Sequence, residues 1–204
     1  MTATISVGPL QPSHRSSIEE IIRATGVFSE NEIGVALELF DDSQRAEMGN
    51  RESEMGEGQN GAHFPFPISD FRLVGFDYEF IGAFDADQLV GYACFGATPS
   101  TDRTYDLYWI AVHPGVQRGG VGTALMSELE CQLEQRSARL LVIETSSRDD
   151  YLPTRRFYHK RGYDESARLR DFYAPGDDRV VLTKRVCTQD PQGAARLPQS
   201  TTRI

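Results

Sequence analysis

The pattern of apolar positions predicts seven β-strands, most of them in the second half of the chain. Short runs rich in branched and aromatic residues, bounded by turn-forming residues, are typical of strands. The run Leu140–Thr145 is almost wholly apolar, as expected of a strand that is buried on both faces. The predicted strands are residues 5–10, 79–85, 88–97, 104–112, 140–145, 163–173 and 179–186.

Four segments have the 3.6-residue apolar period of amphipathic helices. Two of them open with a Ser-x-x-Glu capping box, in which each side chain binds a backbone N–H left free by the first turn. Ser16 and Glu19 form the first box, and Ser29 and Glu32 form the second. The other two helices are predicted over residues 120–136 and 153–161, the second ending at Gly162.

Strands and helices alternate in the order β, α, α, β, β, β, α, β, α, β, β. This order predicts a mixed α/β sheet with helices on both faces. We expect a single domain over residues 1–187, followed by a mobile tail over 188–204, which has no large apolar run. Residues 45–70 are predicted to be an insertion within the domain, because most of this stretch is polar and rich in Gly and Glu. Two interpretations stay open for it, a flexible excursion and a lid over a substrate.

Composition and charge exclude several classes of protein. The chain has 204 residues, of which 39% are hydrophobic, and a net charge of −9. Binding to nucleic acid is disfavoured, because it depends mainly on cationic side chains. No stretch approaches the roughly 20 apolar residues that span a bilayer. The N-terminus lacks the features of a secretory signal, so a cytoplasmic location is expected. Three Cys and four His residues show no ligand spacing, so we expect no metal site.

A glycine-rich bend between a strand and a helix is the most informative segment. The strand ending at Val112 is followed by His113-Pro114-Gly115, and Gly119, Gly120 and Gly122 lead into the next helix. Glycines let a ligand approach the backbone closely. The helix N-terminus adds free N–H groups and a positive dipole end, so the segment predicts a site for a pyrophosphate. It matches neither the P-loop nor the Gly-x-Gly-x-x-Gly pattern.

What the segment resembles is the signature of the GNAT superfamily of acyl-CoA-dependent N-acyltransferases. That signature, Gln/Arg-x-x-Gly-x-Gly/Ala after a hydrophobic-His-Pro turn, is matched by residues 117–122 with Val112-His113-Pro114 ahead of them. A second family element, Phe-Tyr-x-x-x-Gly-Phe/Tyr, is matched by residues 157–163. The resemblance covers residues 78–186 well and residues 5–45 more loosely, and it leaves residues 46–70 and the tail outside.

The resemblance implies a mostly antiparallel sheet with two splayed parallel strands, between which acetyl-CoA binds. The pantetheine arm would pair with the strand edge from Ile110 to Val112. The pyrophosphate would bind backbone N–H groups of the bend, namely those of Gln117, Arg118, Gly119, Gly120, Val121, Gly122 and Thr123. Tyr158 would protonate the leaving thiolate. Many relatives carry an Asn that contacts the cofactor where this chain has Tyr151, so that contact is not expected here.

The implied reaction is direct attack of an amine on the thioester carbonyl, which needs a base because free amines are mostly protonated at neutral pH. Asp106 and Glu144 are the two candidates, since a carboxylate in so apolar a strand is costly to bury unless it is paired or protonated. The alternative for each is a cap or an ion pair with an arginine. The Val112 N–H would stabilise the oxyanion.

The function expected from the resemblance is acetyl transfer from acetyl-CoA to a primary amine of a small molecule. Two alternatives stay open, a protein N-terminal or lysine acetyltransferase and a non-catalytic acetyl-CoA sensor. Family analogy places the loop Asp171–Asp178 on the acceptor side, where its three aspartates would attract a cationic amine, although a plain hairpin turn is an equal alternative. The oligomeric state stays open, with a homodimer as one alternative because dimers are common in the family.

Overall fold

A computed structural model describes residues 5–53, 78–116 and 119–186, with side chains as far as Arg45 in the first range. The strands are β1 (Ile5–Pro9), β2 (Glu79–Asp85), β3 (Gln88–Ala97), β4 (Thr104–Val112), β5 (Leu140–Ser146), β6 (Asp164–Ala174) and β7 (Asp177–Arg185). The helices are α1 (Arg15–Thr25), α2 (Glu30–Ser53), α3 (Val121–Gln135) and α4 (Leu152–Lys160). None of the helices in these ranges has the length and apolarity needed to cross a membrane.

The seven strands form one mixed sheet in the order β1-β2-β3-β4-β5-β7-β6. All neighbouring pairs are antiparallel except the central pair β4 and β5, which is parallel. The crossover between these two strands is α3, as a parallel connection requires. The predicted mixed α/β sheet is confirmed, and the parallel pair lies at its centre.

Two hydrophobic cores cover opposite faces of the sheet. On one face α3 buries the stripe predicted from its four-residue repeat, Val121, Leu125, Leu129 and Leu133. On the other face α1 and α2 bury a second cluster, which includes Ile18, Ile22, Ile33 and Phe40. Each core isolates one face from water, so that the sheet is sandwiched between two helical layers.

Of the two capping boxes predicted at helix starts, one is confirmed and the other is wrong. The Ser29–Glu32 box is present: Ser29 N donates to Glu32 Oε2 at 2.7 Å, and Glu32 N donates to Ser29 Oγ at 3.4 Å. The Ser16–Glu19 box is wrong, because α1 begins at Arg15 with no side-chain cap. A 3-10 turn that starts at Pro12 precedes it. Because proline has the φ angle of a helical first turn, the chain enters helical geometry before Ser16.

Helix α2 continues to Ser53 and so enters the predicted 45–70 insertion. Residues 45–53 contain Arg, Ala, Glu and Met, which have high helix propensity although they form no apolar stripe. A prediction based on hydrophobic period alone therefore ended the helix too early. The rest of that insertion, the lid or excursion over residues 54–70, and the tail over 188–204 lie outside the described residues.

The two strands of the last hairpin have the predicted bounds to within two residues, but the turn predicted over Asp171–Asp178 is wrong. The tight turn is Pro175-Gly176, and β6 runs to Ala174, so Asp171 lies within the strand at a left-handed φ of 51°. The β6–β7 register shifts between Leu169 and Ala174. Every residue of β6 is exposed. The segment 171–178 is therefore a strand end with an irregular register and a two-residue turn.

Gly91 gives a test of how closely α3 approaches the sheet. A Cβ at Gly91 would lie 3.0 Å from Ala111 O and 3.0 Å from Val121 Cγ1. We expect Gly91→Ala to lower the free energy of unfolding by about 1–3 kcal/mol, because overpacked sites force their neighbours to move. Gly34→Ala is the matched control, since nothing lies within 4 Å of its added Cβ. In the exposed face of α2 that control should gain about 1 kcal/mol.

Urea unfolding of both variants measures the two effects. A Gly91→Ala protein at least as stable as the wild type would contradict the close packing of β3, β4 and α3.

Candidate active site

The two central parallel strands, β4 and β5, pair with each other over only part of their length. Its register runs from Thr104–Leu140 to Leu107–Ile143. Beyond that point β4 continues in register with β3 as far as Val112, and β5 continues with β7 as far as Ser146. The C-terminal ends of β4 and β5 therefore diverge, as the resemblance implied. A gap in the middle of a sheet is a common place for ligands in α/β folds.

A bulge in β4 reshapes the strand where the divergence begins. Phe95 is opposite Leu107, and Cys94 is opposite Trp109, so Tyr108 is the extra residue. Bulges bend a strand and redirect its side chains. Consequently Leu107, Tyr108, Trp109 and Ile110 all line the space between the strands, although they are consecutive.

That space is a cavity of about 370 Å³, which passes through the sheet. Ile143 and Tyr158 line it and belong to the core covered by α3. Phe28 and Trp109 line it and pack against the core under α1 and α2. Both faces of the sheet therefore contribute walls to one cavity.

Tyr158 of α4 lines the cavity and is 2% exposed. Burial raises the pKa of its hydroxyl well above the usual range. The phenol therefore keeps its proton at neutral pH and can donate it. Arg155 connects α4 to the end of β5, since its Nη1 donates to the carbonyl oxygens of Ser146 at 2.6 Å and Arg148 at 2.9 Å.

A second set of contacts holds the other end of α4. Glu130 of α3 accepts hydrogen bonds from Tyr163 Oη at 2.8 Å, Lys184 Nζ at 3.0 Å and Arg161 Nη2 at 3.1 Å. The Tyr163 ring lies 5.6 Å from the Tyr158 ring, centroid to centroid. Helix α4 is thus anchored to β5 at one end and to α3 and β7 at the other, which restricts the position of Tyr158.

The two candidate bases lie in different surroundings. Glu144 lines the cavity and forms an ion pair with Arg179. Asp106 is not among the residues that line the cavity; its Oδ2 accepts a hydrogen bond from Thr98 Oγ1 at 2.7 Å. Burial raises the pKa of Asp106, and the Thr98 bond and the charge of Arg179 partly oppose that shift. Glu144 is therefore the acid with direct access to a ligand.

The predicted pyrophosphate site is described in part. Gln117 and Arg118 lie outside the described residues. Gly119 and Gly120 are exposed, and Gly120, the N-cap of α3, has a φ of 85° and no side-chain cap. Val121, Gly122 and Thr123 form the first turn, whose N–H groups have no acceptor one turn earlier in the helix. This is the chemistry of an anion site at a helix N-terminus.

Glycine 122 lies where α3 meets α4 and the end of β4. A Cβ there would be 3.6 Å from the Phe157 ring and 3.9 Å from Val112 Cγ2. Ile110, two residues before Val112, lines the cavity. The start of α3, predicted to bind the pyrophosphate, therefore lies next to the end of β4, predicted to bind the pantetheine arm. From there β4 leads back to Ile110 in the cavity wall.

Sequence reasoning missed most of the polar wall on the α1–α2 side. Glu32 was assigned to a helix cap, which it forms, yet it also lines the cavity. Tyr151, Tyr173 and Asp177 line it as well. Asp177 was considered among three aspartates, but Asp171 and Asp178 instead bind backbone N–H groups or Arg168. Only the pairing of distant strands brings these residues together.

Three buried polar atoms along the cavity have no hydrogen-bond partner in the described part of the chain, Tyr108 Oη, Trp109 Nε1 and Thr145 Oγ1. Buried polar groups are normally paired, so unpaired ones suggest a place where a ligand supplies the partner. In the described ranges no group of three or more His, Cys, Asp or Glu side chains is arranged to hold a metal ion.

Comparison with known proteins identifies relatives of this chain. The model of the acetyltransferase (GNAT) family matches residues 45–163, which include the segment left outside the sequence resemblance. A solved Desulfovibrio desulfuricans protein, described as a GNAT-family acetyltransferase, is 34% identical with a TM-score of 0.71, covering 90% of this chain and 100% of its own. No curated protein matches the chain.

More distant structures share the fold alone. The ribosomal-protein-S18-alanine N-acetyltransferase from Escherichia coli is 16% identical, with a TM-score of 0.64 over 93% of this chain and 98% of its own. A Salmonella typhimurium protein, solved with its cofactor acetyl-CoA, is 15% identical, with a TM-score of 0.62 over 94% and 99%.

The raised pKa of Asp106 predicts a pH-dependent effect on stability. A carboxyl whose pKa is raised on folding destabilises the folded state once it ionises, and this penalty disappears as the pH falls. We expect Asp106→Asn, which keeps an acceptor for Thr98, to raise the free energy of unfolding at about pH 7 and much less at about pH 3.

Urea unfolding at both pH values measures the change, with exposed Asp87→Asn in the β2–β3 turn as the control. An equal loss of stability at both pH values would refute the burial effect.

Proposed function

Because the chain belongs to the GNAT family of acetyltransferases, we propose that it transfers an acetyl group from acetyl-CoA to the primary amine of a small molecule. The observation that carries this proposal is the cavity through the sheet between β4 and β5. It has a buried proton donor, Tyr158, among its walls and a carboxylate, Glu144, on the diverging strand. A cavity of about 370 Å³ suits a small acceptor.

Acetyl-CoA would supply the activated acyl group, and this chain's residues would hold it. The N–H groups at the start of α3, from Gly120 to Thr123, suit the pyrophosphate. Gly119 belongs to the proposal through its place in the motif, since its own N–H donates to the carbonyl oxygen of Val116 at 3.2 Å. The edge of β4 from Ile110 to Val112 suits the amides of the pantetheine arm, because diverged strand edges can pair with an extended ligand. The adjacent Phe157 closes this path from the α4 side. Gln117 and Arg118 belong to the same proposal through their place in the motif.

Two proton transfers are needed for the proposed step. The amine nitrogen attacks the acyl carbon, the C–S bond breaks, and the amine loses a proton while the thiolate gains one. Tyr158 is the proposed acid, because its hydroxyl is buried and retains its proton. Glu144 is the proposed base, acting directly or through water, because it lines the cavity. Asp106 is the second candidate base and would require a relay.

Other expectations about this protein stay predictions. A protein N-terminal or lysine acetyltransferase would acetylate peptides in the same assay that tests small amines. A non-catalytic sensor would bind acetyl-CoA and release no thiol. A cytoplasmic location is also proposed, and a homodimer is proposed from the family resemblance; each depends on a separate experiment.

Removing the Tyr158 hydroxyl tests the acid. We expect Tyr158→Phe to lower kcat by about 100-fold or more, the usual contribution of a general acid. The Kd for acetyl-CoA should stay nearly unchanged, because the lost interaction belongs to the transition state. Steady-state thiol release and calorimetry measure the two quantities. Tyr92→Phe is the control, since Tyr92 is also buried but does not line the cavity, and its hydroxyl has no hydrogen-bond partner in the described part of the chain. Wild-type turnover by Tyr158→Phe would remove the acid role.

A charge at the start of α3 tests the pyrophosphate site. We expect Gly120→Asp to weaken CoA binding about tenfold or more, because the new carboxylate competes with the phosphates for the same N–H groups. Gly26→Asp is the matched control. Gly26 also has a left-handed φ, 67°, and ends α1 on the opposite face of the sheet.

The control should unfold more easily than the wild type and bind CoA normally. Equal affinities for both variants in calorimetry would place the pyrophosphate elsewhere.

A further inference from the structure

The cavity wall on the α1–α2 side combines negative charge with aromatic rings. Glu32 at the start of α2 and Asp177 at the start of β7 both contribute to it, although they lie far apart in the sequence. Tyr151 and Tyr173 lie in the same wall. This group of four, which we call the acidic box, is separate from Tyr158 and Glu144, the residues proposed for the chemistry.

Neither carboxylate of the acidic box forms a salt bridge with a described residue, although the charge of Asp177 acts on Arg148. Glu32 Oε2 accepts hydrogen bonds from Ser29 N and Ser29 Oγ, both at 2.7 Å. Asp177, which is 8% exposed, accepts one from Ser146 Oγ. Asp177 is thus a buried carboxylate without a salt-bridge partner, which is unfavourable, so a cation supplied by a ligand would stabilise it. Glu32 is exposed, so it contributes its charge with little desolvation cost.

The other charges of the cavity wall are already neutralised. Glu144 is paired with Arg179. Arg148, the cation among the lining residues, is paired with Asp150 at 2.8 Å and lies over the Tyr151 ring. The two carboxylates of the acidic box therefore dominate the charge that an entering ligand meets.

The two tyrosines lie close enough to those carboxylates to sense their charge. Burial is the main cause of the raised pKa of Tyr151, and the charges of Glu32 and Asp177 raise it further. Burial also raises the pKa of Tyr173 first, followed by the charges of Asp177 and Glu32. Aromatic faces attract ammonium groups, and here Tyr151 is half-buried and Tyr173 is exposed. Rings and carboxylates thus favour the same kind of ligand.

We propose that the acceptor is a small amine with a second cationic group, such as a linear diamine, and that the acidic box binds this second group. The inference rests on the proposed function. The reacting nitrogen loses its proton beside Glu144, whereas the second ammonium keeps its charge between Glu32, Asp177 and the two rings. Glu32 and Asp177 are then specificity-determining residues, because they bind the end of the acceptor that does not react.

Three amines with the same four-carbon chain test the inference: 1,4-diaminobutane, butylamine and 4-aminobutanoate. The end of the chain away from the reacting amine is positive, uncharged and negative, respectively. We expect kcat/KM to be about 10- to 100-fold higher for the diamine than for butylamine, as for a charge-assisted hydrogen bond, and lowest for the amino acid. Calorimetry of the CoA-loaded protein with each probe gives a second readout that needs no turnover.

Two conservative variants locate the effect. Asp177→Asn keeps an acceptor for Ser146, and Glu32→Gln keeps the capping box with Ser29. Each should reduce the preference for the diamine over butylamine, measured as the ratio of the two kcat/KM values. Asp87→Asn removes the same charge from the exposed β2–β3 turn and should keep the full preference.

The outcomes separate this inference from the proposed function. Equal turnover of diamine and butylamine overturns the inference and leaves the small-amine acetyltransferase in place. A preference that survives both variants also overturns it. If no small amine is acetylated, the proposed function fails; diamine binding that is lost in Asp177→Asn would then still support the cation site, and absence of that binding would refute both.

Discussion

The parallel pairing of β4 and β5 stops at Leu107–Ile143, and the rest of the site depends on this interruption. Past that point each strand is held by its antiparallel neighbour, β3 on one side and β7 on the other. The sheet therefore stays continuous at one end of the pair and opens at the other. The Tyr108 bulge contributes to the opening by turning four consecutive side chains of β4 toward it.

The elements around such an opening must be rigid, because a sheet with a gap loses hydrogen bonds between the strands at its centre. The two cores supply that rigidity from opposite faces. Gly91 lets α3 approach the sheet closely, and Arg155 and Glu130 anchor the two ends of α4. Tyr158 lies on α4, a short helix of nine residues whose position is fixed by these contacts. Sites built on fixed elements can hold reacting groups in one geometry.

Most of the fold could be predicted from the sequence because its signals are local. The β2–β3 hairpin and β4 have the predicted bounds, since alternation, turn residues and branched side chains all agree there. The start of α1 and the length of α2 were predicted wrongly. At α1 the proline turn outweighed the capping-box pattern, and at α2 helix propensity extended the helix beyond its apolar period.

The candidate site could likewise be predicted only where its residues are close together in the sequence. The glycine bend and Tyr158 were found from motifs that occupy contiguous residues. The wall made by Glu32, Tyr151, Tyr173 and Asp177 has no such signal, because α2, the turn before α4, and the β6–β7 hairpin meet only after the sheet is assembled. Asp106 and Glu144 were equivalent in sequence, since both interrupt apolar strands; their different access to the cavity follows from strand divergence.

The contacts of Glu130 also determine which amines of the protein itself are open to acylation. The chain has two lysines, Lys160 and Lys184. The ammonium of Lys184 is bound to Glu130 and lies 5.3 Å from the centre of the Tyr163 ring, whereas Lys160 at the end of α4 is exposed. A protein that handles a reactive thioester thus presents one exposed ε-amine on its described surface, whereas the other is partly buried and ion-paired, and a labelling reagent specific for lysine would attach mainly at Lys160.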